Sequence, residues 1–296
     1  MSSIYRKIEK KARSLTPSFL APAAKTAIAY PRYYSQLQQA KKGYTKYHDR
    51  YGQHILYVAG LPKSGTTWLE KMLSSFPGFT DIMIPGAVAY EQKHGESHTF
   101  DFPPGLFSRF NNALVVLKLH AHGSPENFLQ LQQNQINYVV LYRDLRDVAV
   151  SHVFYVQHTA YHPEHTIYKG LTIKQALLHF GNTLLPQFVQ WVDSWYEHDH
   201  SPYSYMLRYE DLVNDPFEKL GEVAKHYKLN AGEEDIRSII EKNSFESLSG
   251  GRTKGADDNK SFFRKGISGD WKNYFDEEVT ALFNQHSEAF NQKYGY

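Results

Sequence analysis

The stretch HILYVAGLPKSGTTWLEKML, residues 54–73, decides the fold of this 296-residue chain. Its apolar part, His54–Gly60, is typical of a buried strand, and apolar residues at helical spacing then predict a helix over Gly65–Phe76. A glycine turn between a strand and a helix is a common anion site, because free backbone N–H groups and the helix dipole both point at the turn. The stretch predicts a site for phosphate or sulfate, although a turn without a ligand would show the same glycine spacing.

The lysine of this stretch is not where a nucleoside-triphosphate loop has it. That loop reads G-x-x-x-x-G-K-[ST]. Gly60 and Gly65 keep the spacing, but Thr66 and Thr67 follow, and the lysine lies earlier, at Lys63. Two interpretations stay open at this point: an altered ATP site, or an intact site for another anion.

The rest of the chain continues the alternation of apolar strands and helices. Further strands are predicted over 113–120, 136–143 and 203–210. Helices are predicted over 145–157, 171–198, 217–227, 233–242 and 277–291. This alternation predicts an α/β fold of three layers, a central parallel sheet flanked by helices, with ligands bound at the carboxyl ends of the strands. The segment Ile84–Asn112, rich in Pro, Gly and His, is predicted to be a long loop.

The composition bounds the class of protein. With 41% hydrophobic residues the chain can bury a sizeable core, and residues 51–296 are predicted to form a single domain. The absence of cysteine excludes disulfides, thiolate catalysis and cysteine-ligated zinc, and it favours a reducing, cytoplasmic setting. No apolar run approaches the ~20 residues of a membrane span.

Residues 1–50 are predicted to be a basic N-terminal extension, since Lys and Arg outnumber the acidic residues Glu9 and Asp49. Such a segment could contact an anionic membrane surface or an acidic partner. We favour the simpler interpretation, in which the segment packs on the more acidic remainder of the chain. No nucleic-acid partner is expected.

Three strings, in this order, resemble the sulfotransferases that use 3′-phosphoadenosine 5′-phosphosulfate (PAPS), most closely the soluble, cytosolic-type branch. They are PKSGTTW (62–68), YRDLRDVAVSHVFY (142–155) and FFRKGISGDWKNYF (262–275). The resemblance spans roughly Ile55 to Phe275. It implies a P-loop fold like that of nucleotide kinases, and transfer of a sulfuryl group from PAPS to a hydroxyl or phenol, or an amine, without a metal.

The resemblance also assigns a donor site residue by residue. It places the 5′-phosphosulfate on Lys63, Ser64, Gly65, Thr66 and Thr67. It places the 3′-phosphate on Arg143, Ser151, Arg264, Lys265 and Gly266, next to Phe263. It places adenine between Trp68 and Phe245, with Tyr209 and Ser244 at its edge. Asn243 stands where the family often has threonine.

The residue types agree with this assignment on physical grounds. Arg143 ends a predicted strand, where its planar guanidinium can bind two phosphate oxygens at once. Ser151 follows about two helical turns later, so both side chains can face one ligand. Arg146 and Asp147 are expected to be charges on the helix surface that form salt bridges.

The string KLHAH supplies the predicted catalytic groups. Lys118 and His120 lie two apart at the end of a strand and so share one face. The resemblance makes His120 the general base, with Lys118 and Lys63 stabilising charge on the leaving phosphate. Whether His122 assists or replaces His120 stays open.

The acceptor is the least determined part of the hypothesis. A hydrophobic alcohol or phenol is favoured, in a pocket between Trp191, Trp195 and the segment Tyr90–Phe107, although both tryptophans could equally be core. A carbohydrate or lipid-headgroup acceptor stays open. His158, His162 and His165 are expected in an acceptor loop rather than a zinc site.

Two other classes of function stay open, and the oligomeric state is not predicted. One is an ATP-dependent small-molecule kinase, which would need a lysine at the position of Thr66. The other is a non-catalytic nucleotide-binding or scaffold protein. The family's dimerisation string is absent after Lys272, where Asp276 and Glu277 stand, so dimerisation by that route is not supported.

Overall fold

The computed structural model of this chain describes residues 21–259, 261 and 263–296. The first twenty residues of the predicted basic extension, and Phe262 of the third string, lie outside the described residues. The elements before the middle of the chain are α1 (Ala21–Tyr47), β1 (Ile55–Gly60), α2 (Thr66–Leu73), β2 (Thr80–Asp81), α3 (Pro85–His94), β3 (Val115–Leu119) and α4 (Pro125–Gln133).

The second half of the chain contains the remaining strands and the longer helices. They are β4 (Tyr138–Tyr142), α5 (Leu145–Gln157), α6 (His165–Tyr168), α7 (Ile173–Tyr196), β5 (Ser204–Arg208), α8 (Tyr209–Asn214), α9 (Pro216–His226), α10 (Glu233–Lys242), α11 (Phe245–Ser249) and α12 (Glu277–Tyr294). Short 3-10 turns lie at His48–Arg50, Phe107–Phe110 and Asp270–Asn273.

The strands form one parallel sheet in the order β2-β3-β1-β4-β5. Alternate side chains of β1 enter two different apolar cores, Tyr57 on one face and Val58 on the other. The first core also contains Trp191 of α7, and the second contains Met72 of α2. Because helices cover both faces of a parallel sheet, the three-layer α/β prediction is confirmed.

Two local predictions differ from the structure. The segment Ile84–Asn112 is not one long loop, because it contains α3 and a 3-10 turn. α3 has little apolar periodicity for a sequence pattern to detect, but Pro85 at its first position fixes a helical φ. The strand β2 was not predicted, since two residues are too few for an alternating pattern.

The described part of the N-terminal segment packs closely on the sheet. The amide of Leu114 donates to the carbonyl oxygen of Ala40 in α1, at 3.1 Å. Gly43 lies so near Gly78 that a Cβ there would be 2.0 Å from the Gly78 carbonyl oxygen. The boundary at residue 50 and a membrane or acidic-partner contact of residues 1–50 stay predictions. Across the described ranges, no helix is long and apolar enough to cross a membrane.

Candidate active site

A cavity of about 970 Å³ opens where the carboxyl ends of β1, β3 and β4 meet. Nearly all of the predicted site residues line it, although they come from segments far apart in the sequence. These are Lys63, Gly65, Thr66, Thr67, Trp68, Lys118, His120, Arg143, Ser151, Tyr209, Ser244, Phe245, Phe263, Arg264, Lys265 and Gly266. Ser64 is the exception, because its side chain is fully buried under the turn.

The turn between β1 and α2 is built for close approach of a ligand to the backbone. Lys63 and Gly65 have left-handed φ angles of 66° and 81°. A Cβ at Gly65 would lie 2.5 Å from the ring of Tyr209, so only glycine fits against this ring. The turn leads into α2 at Thr66, where the first amides of a helix have no partner within the helix. The geometry is that of an anion site.

Positive charges converge on this turn. Lys63 Nζ lies 3.7 Å from the ring centroid of Tyr155. Burial, together with the nearby charges of Arg143, Lys118 and Arg264, lowers the pKa of Lys63 to about 7. A bound anion would relieve this repulsion and hold the lysine protonated.

Arg143 is fixed in place by backbone and side-chain contacts. Its Nη2 donates to the carbonyl oxygen of Ile267 at 2.8 Å and lies 3.3 Å from Asp147 Oδ2. Its guanidinium also stacks over Tyr209, 4.3 Å from the ring centroid. These contacts join the end of β4 to the loop that contains Ile267.

Asp147 was expected on the helix surface, and that prediction is wrong. Its side chain is buried because the position four residues after Arg143 faces inward on α5. The carboxylate accepts hydrogen bonds from the amides of Gly269, at 2.6 Å, and Trp271, at 3.0 Å. Arg146 does form the expected salt bridge, with Asp144 at 2.7 Å.

The loop carrying Arg264, Lys265 and Gly266 is held by acidic residues that sequence reasoning missed. Asp270 is buried and pairs with Arg264, and it lies 2.9 Å from Lys265 Nζ. Asp257 pairs with the same two cations, at 3.5 and 3.2 Å. Gly266 has φ 68°, and a Cβ there would lie 2.4 Å from the ring of Phe245. The loop therefore lies directly on one of the aromatic side chains predicted to bind adenine.

Trp68 is oriented by the residue at which the sequence departs from the family pattern. Its Nε1 donates to the carbonyl oxygen of Asn243 at 2.8 Å. The buried Asn243 amide in turn donates to Ser75 Oγ and to the carbonyl oxygen of Ile239. Asparagine thus fixes the end of α10 beneath Trp68, and Ser244 caps α11 by accepting from the amide of Ser247.

His120 stands at the end of β3 with its ring fixed. Its Nδ1 is 2.5 Å from the carbonyl oxygen of Gly60. A carbonyl can only accept, so Nδ1 carries the proton and Nε2 is left as the acceptor nitrogen. Burial, together with the charge of Lys118, lowers the pKa of His120 to about 4. The imidazole is therefore neutral at neutral pH and can accept a proton.

His122 does not share this environment. Its Nε2 lies 3.0 Å from Asp101 Oδ1, and it does not line the cavity. Of the two histidines in KLHAH, only His120 stands at the predicted reaction centre.

Of the two interpretations left open for Trp191 and Trp195, pocket lining or core, the structure supports the core. Both are buried, and their indole N–H groups donate to the carbonyl oxygens of His120, at 2.7 Å, and Ala121, at 3.1 Å. They are large residues on the buried face of α7, and their hydrogen bonds fix the backbone that follows β3.

The histidine-rich segment after α5 splits between two roles. His158 and His165 bond through Nδ1 to the carbonyl oxygens of Phe154 and Val156, each at 2.8 Å. His162 alone of the three lines the cavity. In the part of the chain that the structure describes, no three metal-ligating side chains come together in a metal-binding arrangement.

Comparison with known protein families assigns the chain to one of them. The model of the family described as "Sulfotransferase domain" matches residues 53–295. The chain belongs to the sulfotransferase family. It is a member of a family of enzymes that transfer sulfuryl groups.

Individual relatives are distant but similar in length. Sulfotransferase 1E1 of Homo sapiens is 27% identical and aligns with 79% of this chain and 82% of its own. Flavonol 4′-sulfotransferase of Flaveria chlorifolia is also 27% identical, over 76% of this chain and 75% of its own. The crystal structure of mouse sulfotransferase SULT7A1 superposes with a TM-score of 0.58 at 19% identity, covering 84% of this chain and 90% of that chain. This last likeness supports the fold.

The sulfotransferase cavity continues beyond His120 into a region that sequence reasoning largely missed. The segment Tyr90–Phe107 and the histidines of the acceptor loop were expected there, and part of that segment and His162 do line the cavity. The side chains not predicted include Lys25, Arg32, Glu70, Asp81, His152, Glu164, His179 and Gln187. They come from α1, α2, β2, α5, α7 and the connection before α6. His152 lies within the string 142–155, but no string contains the others together with it.

Proposed function

We propose that this sulfotransferase transfers a sulfuryl group from PAPS to a hydroxyl group of a small-molecule acceptor, without a metal ion. One observation carries the proposal. The glycine turn with Lys63, the cations Arg143 and Arg264, and the neutral imidazole of His120 all line one cavity. Mouse SULT7A1 was solved in complex with PAP, the product of that donor, which supports the same donor here.

The donor half of the cavity suits a nucleotide that carries phosphates at the 5′ and 3′ positions of its ribose. The α2 turn and Lys63 would bind the 5′-phosphosulfate, since amides and an ammonium group both donate to its oxygens. Arg143, with Ser151, would bind the 3′-phosphate, and the loop of Arg264 would close over it. Trp68 and Phe245 would hold adenine by stacking, worth ~1–3 kcal/mol per base in nucleic-acid sites.

The reaction needs one proton transfer and one charge to be stabilised. The acceptor oxygen would form a bond to sulfur while the bond from sulfur to the 5′-phosphate oxygen breaks. The acceptor proton would move to His120 Nε2, which Gly60 leaves free to accept. Lys63 and Lys118 would stabilise the negative charge that develops on the leaving phosphate. A sulfuryl group carries less negative charge than a phosphoryl group, so two lysines can serve where kinases use magnesium.

The proposal is tested by incubating the full chain with sulfur-35-labelled PAPS and a panel of alcohols and phenols in EDTA. We expect labelled sulfate ester to form, with PAP as the second product. Transfer from labelled ATP that requires magnesium, with none from PAPS, would instead establish the kinase alternative.

A further inference from the structure

The acceptor half of the cavity is lined by polar side chains that contact one another. Lys25 Nζ of α1 lies 2.6 Å from Glu91 Oε2 of α3. In a second group of lining residues, Glu164 Oε2 lies 3.1 Å from His152 Nε2 and 3.9 Å from His162 Nδ1. All five residues line the cavity that contains His120.

Both carboxyl groups of this network are ionised at neutral pH. Burial would raise the pKa of Glu91, but Lys25 outweighs that effect, and His120 and His162 also lower it. Burial would likewise raise the pKa of Glu164, but the hydrogen bond from His152 prevails and the pKa is lowered. Glu91, His162 and the predicted base His120 line the same cavity, so the network shares the cavity of the reaction centre.

A wholly apolar acceptor fits this half of the cavity poorly. It would strip water from two carboxylates and an ammonium group and give them no hydrogen bonds in return, which is unfavourable. A cationic acceptor gains little, because each carboxylate already has a positive or imidazole partner. An anionic acceptor would be repelled by Glu91 and Glu164.

Hydroxyl groups meet the requirements of the network. A hydroxyl can donate to a carboxylate and accept from an ammonium or an imidazole N–H in the same site. The second polar pair in this region, His98 with Gln187 at 2.7 Å, offers the same kind of contact. Apolar side chains between the polar groups can cover the C–H face of a ring, and these are Ile84, Val88, Phe100 and Phe188.

We propose that the acceptor is a polyhydroxylated molecule with an apolar face, such as a glycoside. One hydroxyl is presented to His120, and its neighbours bind the pairs Lys25–Glu91 and His162–Glu164. This inference rests on the proposed sulfuryl transfer and departs from the hydrophobic acceptor favoured by the sequence. It also gives α1 a role in acceptor selection, although Lys25 lies outside residues 53–295 matched by the family model.

The test compares acceptors that share an octyl chain and differ in whether they carry a hexose, and in the configuration of its hydroxyl groups. The n-octyl β-glycosides of glucose, galactose and mannose are assayed against 1-octanol with labelled PAPS, below their micelle concentrations. We expect kcat/KM for at least one hexoside to exceed that for 1-octanol by about tenfold or more, because buried polar groups reject an analogue that leaves them unpaired. Equal or faster sulfation of 1-octanol would overturn the inference.

Variants connect the preference to the network. Lys25→Met and Glu164→Gln should each lower kcat/KM for the preferred hexoside about tenfold more than for 1-octanol, while PAP binding shows that the protein is folded. The matched control is Lys42→Met, an exposed lysine on the same helix, which should change neither value. An unchanged preference in both network variants would contradict the assignment.

Two experimental outcomes distinguish the proposed sulfuryl transfer from the proposed acceptor class. If the unmodified protein binds no PAP and transfers sulfate to none of the acceptors, both the proposed function and this inference are overturned. Intact PAP binding with 1-octanol preferred would overturn this inference alone.

Discussion

The donor half of the cavity is formed mainly by backbone conformation, whereas the acceptor half is formed mainly by side chains. The donor half depends on backbone: a turn with left-handed Lys63 and Gly65, a helix start, and a loop at Gly266. The acceptor half depends on side chains such as Glu91 and Glu164, brought together from separate helices and connections. A site formed by the backbone needs particular residues at fixed spacing, so it can be recognised as a motif in the sequence. A site formed by side chains from separate elements needs no fixed spacing, so it leaves no such motif.

The largest effect is expected at the boundary between the halves, at His120. Replacing it with alanine removes the proton acceptor, so His120→Ala should lower kcat about 10²- to 10⁴-fold. PAP affinity by calorimetry should stay within about twofold, because His120 is placed in neither binding half. His122→Ala is the matched control, since His122 bonds to Asp101 outside the cavity lining.

If His120→Ala kept near-native kcat, or if His122→Ala lost as much activity, the base assignment would be wrong. Such a result would also mean that His120 does not mark the boundary between the donor half and the acceptor half.

The next effect separates the halves by their response to the loss of one cation. Arg143→Ala removes a charged donor predicted to bind the 3′-phosphate, so the Kd for PAP should rise about 10- to 150-fold. The KM for the acceptor should change far less. The exposed Arg237 of α10, replaced by alanine, controls for loss of positive charge. An unchanged Kd for PAP in Arg143→Ala would show that Arg143 does not bind the 3′-phosphate.

Proton uptake provides a finer test of the donor half. Lys63 has a pKa of about 7 in the free protein, so at pH 8 it is mostly neutral. A bound bisphosphate favours the charged lysine and raises that pKa, so binding at pH 8 should take up close to one proton. Calorimetry in buffers of different ionisation enthalpy measures this number. Uptake should vanish in Lys63→Met, and uptake that persists there would assign the proton to another group.

The smallest effect concerns Asp257, which pairs with the two cations predicted to close over the 3′-phosphate. Its carboxylate would compete with the ligand, so Asp257→Asn should tighten PAP binding about 2- to 5-fold, the scale of a partly exposed ion pair. The exposed Glu288 of α12, replaced by glutamine, serves as the charge control. Weaker binding in Asp257→Asn would mean that Asp257 supports the loop rather than competes.

The sheet and most helices could be predicted because their periodicity is strong. Strand β4 and helix α5 follow from YVVLYRDLRDVAV almost to the residue. α3 and β2 could not be predicted, since one lacks an apolar stripe and the other has two residues. The inward position of Asp147 also required the structure, because a charged residue in the first turn of a helix is equally compatible with exposure to solvent.

The candidate site shows the same division. The turn, the Arg143 strand end and the loop of Gly266 were predicted, and the structure brings them to one cavity. The position of Trp191 and Trp195 stayed open, since an apolar helix stripe does not reveal whether it faces a cavity or the core. Lys25 could not be found, because its contact with Glu91 joins residues 66 positions apart.

Binding of nucleotides by calorimetry in EDTA tests the central claim most directly. If the donor half is built for PAPS, adenosine 3′,5′-bisphosphate should bind at least about tenfold more tightly than adenosine 5′-monophosphate, because only the former reaches Arg143 and the Gly266 loop. ATP with magnesium added should bind no more tightly than the bisphosphate does without it. Tighter binding of magnesium-ATP, with no gain from the 3′-phosphate, would contradict the account.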